Sequence, residues 1–104
     1  EYINEITGIS GANVHMIKLK ADDETVLELL EYPTHPTDII NQEVYNVGAC
    51  HIALQVYDIE KAYIDLLKKG VKFLSGPVLS SEGIAKVCFC LDPNSIRIEL
   101  VQML

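Results

Sequence analysis

Two short stretches, far apart in the chain, carry side chains able to do chemistry together. Residues 46–58 read Asn-Val-Gly-Ala-Cys-His-Ile-Ala-Leu-Gln-Val-Tyr-Asp, and residues 92–102 read Asp-Pro-Asn-Ser-Ile-Arg-Ile-Glu-Leu-Val-Gln. In the first, Ile52, Leu54 and Val56 alternate with His51, Ala53 and Gln55, the period of a half-buried strand. In the second, Ile96, Ile98 and Leu100 alternate with Arg97, Glu99 and Val101. Each strand therefore presents one metal-competent group, His51 or Glu99, opposite its apolar face. Imidazole and carboxylate suit Zn, Ni, Co, Mn or Fe, and an ion with open positions binds a substrate's paired oxygens directly. Arg97, on the face of Glu99, is suited to an anionic group of a small-molecule substrate, or to a salt bridge with a nearby carboxylate.

Other reactive side chains invite plainer readings. His15 sits among Ile17 and Leu19 and reads as structural or partly exposed, and His35, between Pro33 and Pro36, as a solvated loop residue. Cys88 and Cys90 share one strand face that either lines a pocket or is buried, since free cysteine behaves as a small hydrophobe. Cys50 is expected to point away from the side of His51, because neighbours on a strand face opposite ways.

The elements that must position these groups follow from the apolar spacing. Residues 1–9 show a weak, strand-like pattern. Residues 12–20 and 25–32 alternate and read as two strands paired through the turn 21–24, with Val26, Glu28, Leu30 and Tyr32 on one face. Prolines interrupt any ladder at 33–36, and 37–47 reads as a linker. After the strand at 48–57, Asp58 is a good N-cap, and Ile59, Ala62, Tyr63, Leu66 and Leu67 follow at helical spacing until Gly70. That stripe is expected to cover Ile52, Leu54 and Val56. A short strand at 71–74, a turn at 75–77, a flexible loop at 80–84 suited to a lid, a strand at 84–91, a β-turn at 92–95 and a last strand bearing Glu99 complete the order. The second part, 48–104, is therefore β-α-β-β-β, preceded by a β-β hairpin within 1–36.

Composition sets outer bounds. A chain of 104 residues is long enough to bury a core without staples. A net charge of -7 argues against nucleic-acid and anionic-membrane partners, both of which need clustered Lys and Arg. Three cysteines without Cys-x-x-Cys spacing indicate neither a disulfide framework nor a zinc finger, so a cytoplasmic location is the expectation. No apolar run approaches the roughly 18 residues of a membrane span, and no signal peptide is seen. The first residue is Glu1, not Met, which suits the remainder of a longer chain.

These pieces resemble the vicinal oxygen chelate superfamily, the glyoxalase, bleomycin-resistance and extradiol-dioxygenase group. The matching residues are Gly48-x-x-His51-Ile-Ala-x-x-Val56-x-Asp58, Leu66-x-x-x-Gly70-Val-x-Phe73, Gly76-Pro77, Phe89-x-x-Asp92-Pro93 and Ile98-Glu99-Leu-Val-Gln, with Leu27-Glu28-Leu29 closing a preceding module. The resemblance implies an α+β fold in which paired β-α-β-β-β modules form a curved mixed sheet, the first module being incomplete here. It implies a divalent metal held by His51 and Glu99 from the second module and Glu28 from the first, with Glu99 as catalytic base. The fourth ligand, from the opening strand of the first module, has no counterpart: it lies upstream, comes from a partner chain, or is replaced by a three-ligand site. Ser95 stands where glycine is common in the family, at an expected small cost.

The function implied is a metal-dependent lyase or isomerase, similar to lactoylglutathione lyase or methylmalonyl-CoA epimerase, transferring a proton next to a metal-bound carbonyl. A metal-free binding protein of the bleomycin-resistance type is the alternative, and an extradiol dioxygenase ranks last. Open sheet edges point to a homodimer.

Overall fold

The computed structural model describes residues 2–40 and 43–104, so Glu1 and the linker residues Asn41 and Gln42 lie outside the described residues. The chain divides into two compact units, Glu1–Ile39 and Ile40–Leu104.

In the first unit, helix α1 (Tyr2–Thr7) occupies the stretch expected to be strand-like. Six residues are too few to display a period, which is why the pattern there misleads. Gly8, at φ 72°, ends the helix and donates its N–H to the Asn4 carbonyl at 2.9 Å. Strands β1 (His15–Lys20) and β2 (Val26–Glu31) then form an antiparallel hairpin. Its register puts His15–Glu31, Ile17–Leu29 and Leu19–Leu27 on one face, and Met16–Leu30, Lys18–Glu28 and Lys20–Val26 on the other. The turn is closed by Ala21 N–H donating to the Thr25 carbonyl at 2.8 Å, with Glu24 in the left-handed region at φ 72°.

The second unit holds β3 (Ile52–Gln55), α2 (Ile59–Lys68), β4 (Val78–Leu79), β5 (Ala85–Leu91) and β6 (Arg97–Met103). Its sheet runs β3-β6-β5-β4, parallel between β3 and β6 and antiparallel elsewhere. The first strand of the unit is thus laid beside the last, which brings His51 and Glu99 within reach. The strand expected at 71–74 contracts to one bridge, Phe73 to Cys90, and the paired strand is β4 instead. Gly76 and Pro77 explain the break, because proline has no N–H for the ladder and pairing resumes only after it.

Both caps of α2 appear as chemistry dictates. The Asp58 carboxylate accepts the Lys61 N–H at 3.1 Å. At the other end Gly70 N–H donates to Leu67 and Val71 N–H to Leu66, both at 3.0 Å, with Gly70 at φ 87°. The buried side of the helix is Ile59, fully buried, packed with Cys88, Cys90 and Leu100 and flanked by Val56, Leu66, Val71, Phe73 and Ile98.

The expected cover of β3 by the helix and the expected lid both change here, and the open reading of Cys88 and Cys90 is decided. The helix covers β5 and β6 in preference to β3, so Ile52 and Leu54 remain 40% and 41% exposed and only Val56 joins the core. Because β6 lies between β3 and β5, β3 is an edge. Cys88 and Cys90 belong to the core, not to a pocket, and burial pushes both thiols above their ordinary pKa. The loop at 80–84 is a pinned hairpin turn and no free lid: Ser80 Oγ accepts the N–H groups of Ile84 and Ala85, both at 3.2 Å. Among the described residues no helix is long and apolar enough to cross a membrane.

Candidate functional site

Strand pairing fixes which side chains share the face away from α2. Glu99 sits mid-strand on β6, opposite Ala53 of β3 on one side and Phe89 of β5 on the other. Its neighbours Ile98 and Leu100 turn toward the core, as the period of two requires. His51 precedes β3 by one residue. From there its Nε2 lies 3.1 Å from Glu99 Oε2, a hydrogen bond across 48 residues of chain. The two side chains are 34% and 24% exposed, so the pair is reachable from solvent without being fully hydrated. A neutral ring that donates through Nε2 leaves Nδ1 as an acceptor.

The third member of this face is aromatic. Phe89 meets His51 edge-to-face, with ring centroids 5.0 Å apart and planes inclined at 78°. Spacing alone did not single out this contact. The signal lay in the loop between β5 and β6, because the pairing of Leu91 with Arg97 sets Phe89 against Glu99.

The remaining candidates are placed as follows. Glu28 belongs to the hairpin of the first unit, where Lys18 lies across the ladder with its ammonium 3.8 Å from the carboxylate. Among the described residues no three of His, Cys, Asp and Glu gather where they could hold a metal ion. Arg97 is half-buried at the start of β6, two residues before Glu99, and lines a cavity of about 310 Å³ together with Gly48, Cys50 and Ile96. His15 is exposed and meets Glu31 at 3.0 Å, while His35 Nδ1 lies 3.0 Å from Thr34 Oγ1.

Whether the pair suits a metal can be tested on its geometry. Adjacent ligands on an ion with bonds of about 2.1 Å stand roughly 3.0–3.4 Å apart. The 3.1 Å between Nε2 and Oε2 falls within that span, and a borderline nitrogen beside a hard oxygen suits the divalent ions from Mn to Zn. The two residues therefore fit two adjacent positions of an ion.

The fold has relatives of known structure. A glyoxalase family protein from Bacillus cereus is 24% identical with a TM-score of 0.87, over 100% of this chain and 71% of that one. A member of the glyoxalase/bleomycin resistance protein/dioxygenase superfamily from Sphaerobacter thermophilus is 20% identical with a TM-score of 0.50, over 97% and 82%. A methylmalonyl-CoA epimerase from Streptomyces coelicolor is 21% identical over 98% and 84%, and its TM-score of 0.49 is too low to carry an argument. At these identities the likeness shows the fold alone. No curated protein sequence matches the chain. Residues 10–100 match the model of the Glyoxalase/Bleomycin resistance protein/Dioxygenase superfamily, and the chain belongs to that superfamily.

Proposed function

We propose that this chain is a metal-dependent lyase or isomerase of the glyoxalase type, similar to lactoylglutathione lyase or methylmalonyl-CoA epimerase, that moves a proton next to the carbonyl of a small substrate. The observation that carries this reading is the meeting of His51 Nε2 and Glu99 Oε2 at 3.1 Å on the sheet face turned from the helix. A divalent ion, Zn, Ni, Co, Mn or Fe, held by His51 and Glu99, would polarise the carbonyl as a Lewis acid.

The protein's own groups do the rest. Glu99 is the catalytic base: its carboxylate takes the proton from the carbon beside the carbonyl and returns it to complete an isomerisation. In the ion-free protein His51 keeps that carboxylate oriented through Nε2, the nitrogen that would otherwise ligate the ion. Arg97, with a guanidinium of fixed charge, binds an anionic group of the substrate.

The test combines metal analysis of protein purified without chelators with hydrogen–deuterium exchange next to the carbonyl of offered substrates, read by NMR. A stoichiometric ion in the wild type is expected, lost in His51→Ala, with exchange reduced about a hundredfold or more in Glu99→Gln. Exchange retained in Glu99→Gln removes that residue from the role of base. The same hydrogen bond favours a second reading, because the two side chains satisfy each other without an ion, as in a metal-free binding protein of the bleomycin-resistance type. Wild-type protein without metal decides for that alternative.

We also propose that the chain is a homodimer, in which a second copy covers the sheet edge left open at β3.

A further inference from the structure

The ladder between β3 and β6 begins at Ile52, one residue after His51, so the direction of the imidazole is left to its side-chain contacts. Among the described residues, one polar and one aromatic contact supply it. Glu99 meets Nε2 at 3.1 Å, and Phe89 packs against the ring edge-to-face at 5.0 Å. Phe89 is also the residue directly opposite Glu99 in the β5–β6 ladder, where cross-strand Cβ atoms stand about 4.5–5.5 Å apart. One ring therefore touches the imidazole and stands beside the carboxylate.

Its own support is rigid. Cys88 and Cys90, the neighbours of Phe89 on either side, are 2% and 5% exposed in the core beneath the sheet, which holds this part of β5 in place. An imidazole free to turn about its side-chain bonds would carry Nε2 away from Glu99. An aromatic edge-to-face partner opposes that rotation, because the contact has a preferred ring inclination that an aliphatic side chain cannot supply.

Resting on the reading of His51 and Glu99 as a working pair, we propose that Phe89 is their positioning residue: its ring, packed on the imidazole and set opposite Glu99, holds Nε2 on the carboxylate. It touches neither substrate nor ion in this scheme, and acts through His51 alone.

The experiment uses Phe89→Leu and Phe89→Tyr, with Glu99→Gln as the reference for a broken pair. In metal-free protein the ¹⁵N shift of His51 Nε2 reports its hydrogen bond. Phe89→Leu is expected to move that shift to the value seen in Glu99→Gln, while Phe89→Tyr keeps the wild-type value. Cobalt(II) affinity is expected to fall about 10–100-fold in Phe89→Leu and to be retained in Phe89→Tyr, as for other residues that orient a ligand from behind. A wild-type Nε2 shift in Phe89→Leu overturns the proposal. So does unchanged cobalt affinity in that variant. Should Phe89→Leu fail to fold, Phe89→Met is read in the same way. A wild-type protein that binds no cobalt sinks the metal reading of the site, and the Nε2 shift then decides on Phe89 by itself.

Discussion

Ser95 shows how one residue's identity and its backbone can disagree. It occupies the turn between β5 and β6 at φ 65°, the left-handed region that favours glycine. The small cost expected of serine in that turn is therefore an underestimate, since a side chain there meets the steric penalty of left-handed backbone. The turn holds nonetheless, because Asp92 Oδ1 accepts the N–H groups of Asn94 at 2.8 Å and Ile96 at 2.7 Å. Ser95→Gly is expected to stabilise the protein by about 0.5–1 kcal/mol, the relief of strain less the entropy of glycine in the unfolded chain. Urea unfolding checks this: the midpoint should rise at constant m-value, and a lower midpoint would show that the turn accommodates serine without strain. His51 and Glu99 were legible in the sequence because alternation assigns a face to every residue of a strand. The contact of Phe89 with His51 was not, because it depends on how two strands register and not on either strand alone.

Helix α2 was the most legible element, since its start and stop are written in residue chemistry. Asp58 supplies the acceptor for the Lys61 N–H at 3.1 Å, and Gly70 supplies the left-handed residue past the end. Asp58→Ala should cost about 1 kcal/mol of stability through the lost cap, measurable as a lower urea midpoint. A midpoint equal to that of the wild type would mean that Gln102, whose Oε1 accepts the Ile59 N–H at 2.9 Å, suffices to hold the first turn. The strands were less legible. The bridge at Phe73 and the two-residue β4 owe their extent to the partner strand and to the proline between them. The placement of Ile52 and Leu54 followed the same rule, for both are apolar enough for a core but lie on the strand that β6 displaces to the edge. Helix α1 escaped notice because six residues are shorter than two turns.

Each unit exposes apolar surface, and among the described residues β3 stands at the edge of its sheet. Strand β3 ends the four-stranded sheet with Ile52 and Leu54 at 40% and 41% exposure. The hairpin of the first unit exposes Ile17 and Leu29 at 59% and 50%, and a two-stranded sheet is marginal in water. Sedimentation at micromolar concentration is expected to show the proposed homodimer. A stable monomer there would count against it and would leave β3 as an open edge. The family could be read from the order and spacing of motifs, and the model matched over residues 10–100 agrees. The proposed pairing of copies depends on surfaces, and surfaces leave little trace in hydropathy.

The parallel pairing of β3 with β6 has a bearing on how the molecule forms. β5 and β6 are joined by a short turn and zip locally, whereas Ile52 must find Ile98 across nearly half the chain. Contacts so distant along the polypeptide are entropically expensive to close and come late in folding. Imidazole and carboxylate are therefore joined only when the outermost strand docks, and their meeting is expected among the last contacts to close.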